Sequence, residues 1–178
     1  MKLTDFRVLT FDCYGTLINW EAGIFTALQP LLSLSQSGFT RNEVLEAFAQ
    51  AEWHQEVATP ERRYPEILAS VLEALATQWA LQPTADMGEQ FGASVPQWPA
   101  FEDSADALEY LAQHYKLVIL SNVDRASFEG SSARFGVEFD AIYTAEDIGS
   151  YKPDPRNFVH LIDHIKYDLG FEAHKKTT

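Results

Sequence analysis

Three short stretches place chemistry-bearing side chains at the ends of apolar runs. In Phe11-Asp12-Cys13-Tyr14-Gly15-Thr16-Leu17, a run containing Phe6, Val8, Leu9 and Phe11 stops at one carboxylate, and a glycine and a hydroxyl follow at once. The run Lys116-Leu117-Val118-Ile119-Leu120 passes directly into Ser121-Asn122, and the loop 146–155 carries Lys152. A carboxylate is an established nucleophile in covalent catalysis. Hydroxyl and amide side chains can hold an anionic group, and a compact lysine cation can neutralise and orient a carboxylate. Taken singly, each residue has a plainer role: Asp12 as a solvated aspartate in a turn, Ser121 as a helix cap, Lys152 as a loop charge. Their shared position favours the joint reading, because open α/β sheets gather chemistry beyond the carboxyl ends of their strands.

Such tips need parallel strands behind them. Residues 6–12 read as a fully buried strand, aromatic and β-branched with almost no polar alternation. Residues 116–120 read as a second strand and 139–143 as a shorter third. Between the first two, residues 20–98 show only helical periodicity. Ile24, Phe25, Leu28, Leu31 and Leu32 share one face up to a break at Ser37-Gly38. Thr40 and Glu43 form a capping-box pattern ahead of Val44, Leu45, Phe48 and Trp53. After Pro60 and Pro65, the residues Ile67, Leu68, Val71, Leu72, Leu75 and Trp79 make the clearest amphipathic helix. A weaker segment, 84–95, ends at Pro96-Gln97-Trp98-Pro99. Ser104 is expected to cap a helix through Ala107, Leu108, Leu111 and Tyr115. Another helix runs from Arg125 to Phe135 and stops at Gly136. The last opens at Asp154 or Pro155 and carries Phe158, Leu161, Ile162 and Ile165. These patterns predict an α/β core formed by 1–18 and 99–178, with an all-helical insert over 19–98.

The formal net charge of −13, from 26 acidic against 13 basic residues, argues against binding a nucleic-acid backbone, which takes clustered Lys and Arg. A small anionic substrate remains compatible, since one or two local cations decide that. Cys13 is the only cysteine, so no internal disulfide is expected, and it reads as a small core residue. No apolar run approaches the roughly 18 residues that span a bilayer. The start, Met-Lys-Leu-Thr-Asp, lacks the apolar core of a signal peptide. A soluble cytoplasmic protein is the expectation. His160 and His164 have a spacing that can bind zinc, but without an evident third ligand they read as a solvated helix face, and no metal residues are assigned. Glu61-Arg62-Arg63 reads as a solvated turn.

In order and spacing, Phe11-Asp12-Cys13-Tyr14-Gly15-Thr16-Leu17, Ile119-Leu120-Ser121-Asn122 and Tyr151-Lys152-Pro153-Asp154-Pro155 resemble three signatures of the haloacid dehalogenase superfamily of hydrolases. The resemblance implies a Rossmann-like parallel sheet with helices on both faces, and it makes the helical insert a cap domain. It implies that Asp12 attacks the substrate, forming an ester or acyl phosphate that water then hydrolyses. Thr16, Ser121 and Lys152 would complete the catalytic set, and Tyr14 and Asn122 would contact substrate. The superfamily's phosphatases usually carry a second aspartate two positions after the nucleophile, as general acid. Here that position is Tyr14, whose ordinary pKa of about 10 makes it a poor acid for the task. A halide needs no proton to leave. The sequence is therefore most similar to the type II (S)-2-haloacid dehalogenases, which implies cleavage of a carbon–halogen bond in a short 2-haloacid with no cofactor. A phosphatase using Mg2+ is the alternative.

Three departures qualify that expectation. The cap arginine that helps bind substrate and halide in those dehalogenases falls near Gln50, with Arg41, Arg62 and Arg63 as substitutes. A tyrosine expected six residues after the lysine is Phe158. A fourth motif should follow the last helix as another strand with polar and acidic residues at its end, yet the sequence there reads Lys175-Lys176-Thr177-Thr178. The expectation is a shortened member that lacks C-terminal core strands and leaves the strand of Asp12 unpaired on one side. Such an edge favours association, as in a homodimer. A third reading follows from it, a catalytically impaired chain that serves as a binding module.

Overall fold

The computed structural model describes residue 2 and residues 5–36 and 38–170. Ser37 of the expected break and the polar tail from His174 lie outside the described residues. Three parallel strands, β1 (Val8–Phe11), β2 (Lys116–Ser121) and β3 (Ala141–Thr144), form one sheet in the order β1-β2-β3. Phe11 lies opposite Ile119, and Ser121 opposite Thr144. The carboxyl ends of all three strands therefore open at the same edge of the sheet.

β2 is the central strand and follows the two-faced alternation of a buried parallel strand. Leu117 and Ile119 join the main apolar cluster, whereas Val118 and Leu120 pack with Tyr143 against Leu161, Ile165 and Leu169. The latter face is covered by the helix α9, defined below. β1 differs from the fully buried strand expected. Val8, Leu9 and Phe11 are half-buried and Thr10 is exposed, because β1 has a neighbour on one side only among the described residues. β3 begins two residues later than the periodicity suggests, since Asp140 is occupied in holding β2. Its carboxylate accepts hydrogen bonds from Lys116 Nζ at 2.6 Å and from the Leu117 amide at 2.9 Å.

Among the described residues, the chain between β1 and β2 holds helices and no ladder strand. They are α1 (Trp20–Ala27), α2 (Gln29–Leu32), α3 (Arg41–Ala58), α4 (Tyr64–Gln78), α5 (Met87–Gly92) and a 3-10 turn at Val95–Gln97, followed by α6 (Ser104–Ala112). Thr40 and Glu43 form the expected reciprocal capping box of α3. Ile67, Leu68, Val71, Leu72 and Leu75 of α4 are all buried. Trp53 is exposed rather than part of the apolar face. Ser104 is not a cap: Asp103 holds that position without a side-chain cap bond, and Ser104 Oγ donates to the Leu17 carbonyl at 2.8 Å.

After β2 come α7 (Arg125–Ser132), α8 (Ala145–Ile148) and α9 (Pro155–Asp168). α7 stops before Phe135, and α8 occupies the start of the expected loop. The inserted helices and the sheet share one apolar cluster, which runs from Cys13 and Ile18 through Ile24, Phe48 and Trp98 to Ile119 and Phe128. Trp98 sits at the junction, nearly fully buried, with its indole donating to Ser94 Oγ at 3.0 Å. It lies so close to α1 that a Cβ on Gly23 would come within 2.2 Å of the indole ring.

Candidate active site

The site starts from the turn that ends β1. The amides of Leu17 and Ile18 both donate to the Cys13 carbonyl, at 2.7 and 2.9 Å, and Gly15 donates back to Ile18. This knot needs Gly15 at φ +96°, a left-handed backbone that L side chains rarely adopt. It leaves Asp12 at the strand tip with its side chain 46% exposed and Cys13 fully buried below it. Burial pushes the Cys13 thiol well above its ordinary pKa, so it stays protonated.

The remaining members arrive from β2 and from the loop before α9. Lys152 Nζ lies 2.6 Å from Asp12 Oδ1 and 2.8 Å from the Leu120 carbonyl, and its side chain is only 19% exposed. The Cys13 amide also donates to Asp12 Oδ1, at 2.9 Å. Both anchors use the same oxygen and leave Oδ2 for a reaction partner. Asn122 sets the lysine in place: its Oδ1 accepts from the Lys152 amide at 2.7 Å and its Nδ2 donates to the Lys152 carbonyl at 3.0 Å. Ser121, at the end of β2, is buried, and its hydroxyl has no hydrogen-bond partner. A buried hydroxyl without a partner is uncommon in a native fold and calls for an explanation.

Asp12, Tyr14, Ser121, Asn122 and Lys152 line one cavity of about 410 Å³. Thr16 lies in the exposed part of the turn and is not on its wall. Tyr14 lines the cavity, but its hydroxyl is shared with Ser131 Oγ of α7 at 2.8 Å. Burial raises the phenol further above its ordinary range, so it is a weaker acid here than in water. Gln50 is exposed. Arg41 pairs with Glu21, Arg62 reaches Ser70 and Arg63 pairs with Glu66; none of these arginines lines the cavity. Phe158 is exposed on α9.

Several wall residues went unnoticed in the sequence. Glu52 and Glu56 of α3 face the cavity beside Trp20 and Tyr64. Glu52 accepts from the Tyr64 hydroxyl at 2.5 Å, and Glu56 makes a long contact of 3.5 Å with Asn122 Nδ2. Desolvation pushes Glu52 up to about 7 and Glu56 up to about 8, the latter helped by the charge of Glu52. A signal existed: Val44, Phe48, Glu52 and Glu56 follow at intervals of four, so the carboxyls continue the inward apolar stripe of α3.

The family model of the haloacid dehalogenase-like hydrolases matches residues 6–173, and the chain belongs to that family of hydrolases. No curated protein matches the sequence. A crystal structure of an L-2-haloacid dehalogenase superposes with a TM-score of 0.75 at 21% identity, covering 90% of this chain and 71% of that one. The L-2-haloacid dehalogenase from Xanthobacter autotrophicus gives 0.73 at 18% identity, covering 92% and 65%. The magnesium-bound HAD-hydrolase YfnB from Bacillus subtilis gives 0.71 at 20% identity, covering 89% and 73%. At these identities the likeness shows the fold. A lysine ammonium lies on Asp12 Oδ1, the Tyr14 hydroxyl is committed to α7, and no group of three His, Cys, Asp or Glu suited to a metal occurs among the described residues. No helix among them is long and apolar enough to cross a membrane.

Proposed function

We propose that the chain is a hydrolase of carbon–halogen bonds in short 2-haloacids, with Asp12 as nucleophile. In this reading Asp12 Oδ2 attacks the halogen-bearing carbon, a C–O bond forms as the C–halogen bond breaks, and halide leaves with the bonding pair. Water then attacks the ester carbonyl carbon of Asp12, which releases the 2-hydroxyacid and a proton and restores the carboxylate. Lys152 fixes the orientation of Asp12 through Oδ1, and Asn122 positions Lys152 through its backbone. The turn at Ser121 and Asn122, with its backbone amides, receives the anionic carboxylate of the substrate.

The observation that carries this reading is the Lys152–Asp12 contact of 2.6 Å on the wall of a cavity that Ser121 and Asn122 also line. The state of Tyr14 supports a leaving group that departs without a proton. For the alternative, a Mg2+-dependent phosphatase, the described residues offer no second carboxylate in contact with Asp12, and the hydroxyl at residue 14 is hydrogen-bonded to α7. A cytoplasmic location belongs to this reading as part of the proposal. The test is halide release from (S)-2-chloropropionate without added metal, by the wild type and by Asp12→Asn. Halide from the wild type alone supports the reading. Phosphate release from phosphate esters that requires Mg2+ would replace it. Binding with neither product would assign the chain as a binding module.

A further inference from the structure

The second half of the reaction proposed above needs a group that takes a proton from water as water attacks the ester of Asp12. Among the described residues, three carboxyls line the cavity, Asp12, Glu52 and Glu56, and no histidine does. Asp12 is the ester itself at that stage. Its Oδ1 meets donors only, the Lys152 ammonium and the Cys13 amide, and the Tyr14 hydroxyl is bound to Ser131. Glu52 is occupied by the Tyr64 hydroxyl at 2.5 Å. Glu56 differs. It is half-buried, its Oε1 meets only the long contact of 3.5 Å from Asn122 Nδ2, and its Oε2 takes no hydrogen bond among the described residues. Asn122 ties it to the reacting pair, since the same Nδ2 donates to the Lys152 carbonyl and Lys152 reaches Asp12. Glu56 also stands where water arrives. With Lys152 and Pro153 it lines both this cavity and a second one of about 360 Å³, whose wall includes the exposed Trp53 and Val57.

We propose that Glu56 is the general base of ester hydrolysis and returns the proton to the departing alkoxide. Glu56 takes a proton from water while the water oxygen bonds to the Asp12 carbonyl carbon. The tetrahedral adduct then collapses and the bond from that carbon to Oδ2 breaks. The 2-hydroxyacid oxygen leaves with the bonding pair and takes the proton from Glu56. Asp12, left as a carboxylic acid, loses its own proton to solvent, and Glu56 ends as it began. Attack on the halogen-bearing carbon transfers no proton, so Glu56 has no part in halide release. The step rests on the nucleophile reading. A base works best when its pKa lies near the working pH. Desolvation, followed by the charge of Glu52, pushes Glu56 up to about 8 against the pull of Lys152 and Asn122. The other groups that face it are Tyr64 of α4 and Tyr151 of the loop before α9, phenols that burial holds neutral. Asp154 and Arg156, on the outer cavity, pair with each other. Ester hydrolysis is therefore expected to rise with pH and to level above about 8, where Glu56 is a carboxylate.

Single-turnover kinetics with the full chain in excess over (S)-2-chloropropionate separate the two halves, with halide reporting ester formation and 2-hydroxypropionate reporting hydrolysis. Glu56→Gln, close in shape, is expected to release halide at the wild-type rate and to form 2-hydroxypropionate about 10²-fold more slowly. The ester then stays on Asp12, visible as added mass, and the remaining hydrolysis loses its rise with pH. Hydrolysis in Glu56→Gln with the wild-type rate and pH profile would overturn the role. So would halide release slowed as much as hydrolysis, which would mean that the glutamate shapes the cavity. The wild type supplies a check that needs no variant: an ester that decays at one rate from about pH 6 to about pH 9 would also overturn it. Absence of halide and of ester in both proteins would instead overturn the nucleophile reading, and this inference with it.

Discussion

At the scale of single residues, Asp12 and Lys152 form the centre, and their roles are separable. Asp12→Asn keeps the shape but removes the nucleophile, and halide release is expected to fall by about 10³-fold or more. Lys152→Ala removes one electrostatic group from the reacting centre; kcat is expected to fall about 10²-fold, as when a single such donor is lost elsewhere. Ser121 gives a different signature. Its hydroxyl has no partner among the described residues, so Ser121→Ala is expected to leave thermal stability unchanged while KM rises about tenfold if the turn it closes holds the substrate. A drop in stability with unchanged KM would mean that the hydroxyl serves the fold. The nucleophile, the serine and the lysine were legible because each follows an apolar run, where a polar residue at a strand tip stands out. The fate of Tyr14 was not. Its partner Ser131 lies 117 positions away and comes close only when α7 packs beside the turn.

At the scale of elements, α3 is the one whose role the sequence concealed. Glu52 and Glu56 drew no notice in the sequence, and the turn of the helix sets them below Val44 and Phe48 on the cavity wall. Their raised pKa values have a sign that can be checked. A carboxyl whose pKa is higher folded than unfolded binds more protons in the native state, so stability falls as pH rises between the two values. The unfolded value is about 4.5 and the folded values are about 7 and 8. Thermal midpoints are expected to fall from pH 5 to pH 8 and the slope to flatten above that. Glu52→Gln and Glu56→Gln should each flatten the profile; identical profiles in the variants would show that the carboxyls are not the cause. The join between α1 and the sheet rests on a close approach. Gly23→Ala would drive a methyl group into Trp98, and a loss of about 1–3 kcal/mol is expected in denaturant unfolding. α4 was legible from periodicity alone, because each of its apolar positions meets the core.

At the scale of the molecule, the chain is a short parallel sheet whose central strand is buried on both faces and whose β1 edge is open on one side among the described residues. The α/β character and the helical stretch between β1 and β2 followed from the hydrophobic patterns. The half-exposure of β1 did not, because the pattern reports the side chains a strand offers and not how many neighbours it has. We propose that this open edge, beside which Thr10 is exposed, pairs with a second copy. Sedimentation at rising protein concentration is expected to show association, and Thr10→Lys is expected to reduce it. A monomer at every concentration would assign the edge no such role.

The measurement closest to the central claim is mass spectrometry of the peptide that contains Asp12, after incubation with 2-chloropropionate in heavy-oxygen water. The account predicts either an ester on Asp12, if hydrolysis is slow, or one heavy oxygen in its carboxyl, if the ester turns over. Product formed while Asp12 carries neither an adduct nor heavy oxygen would mean that water attacks the substrate directly, and would contradict the account.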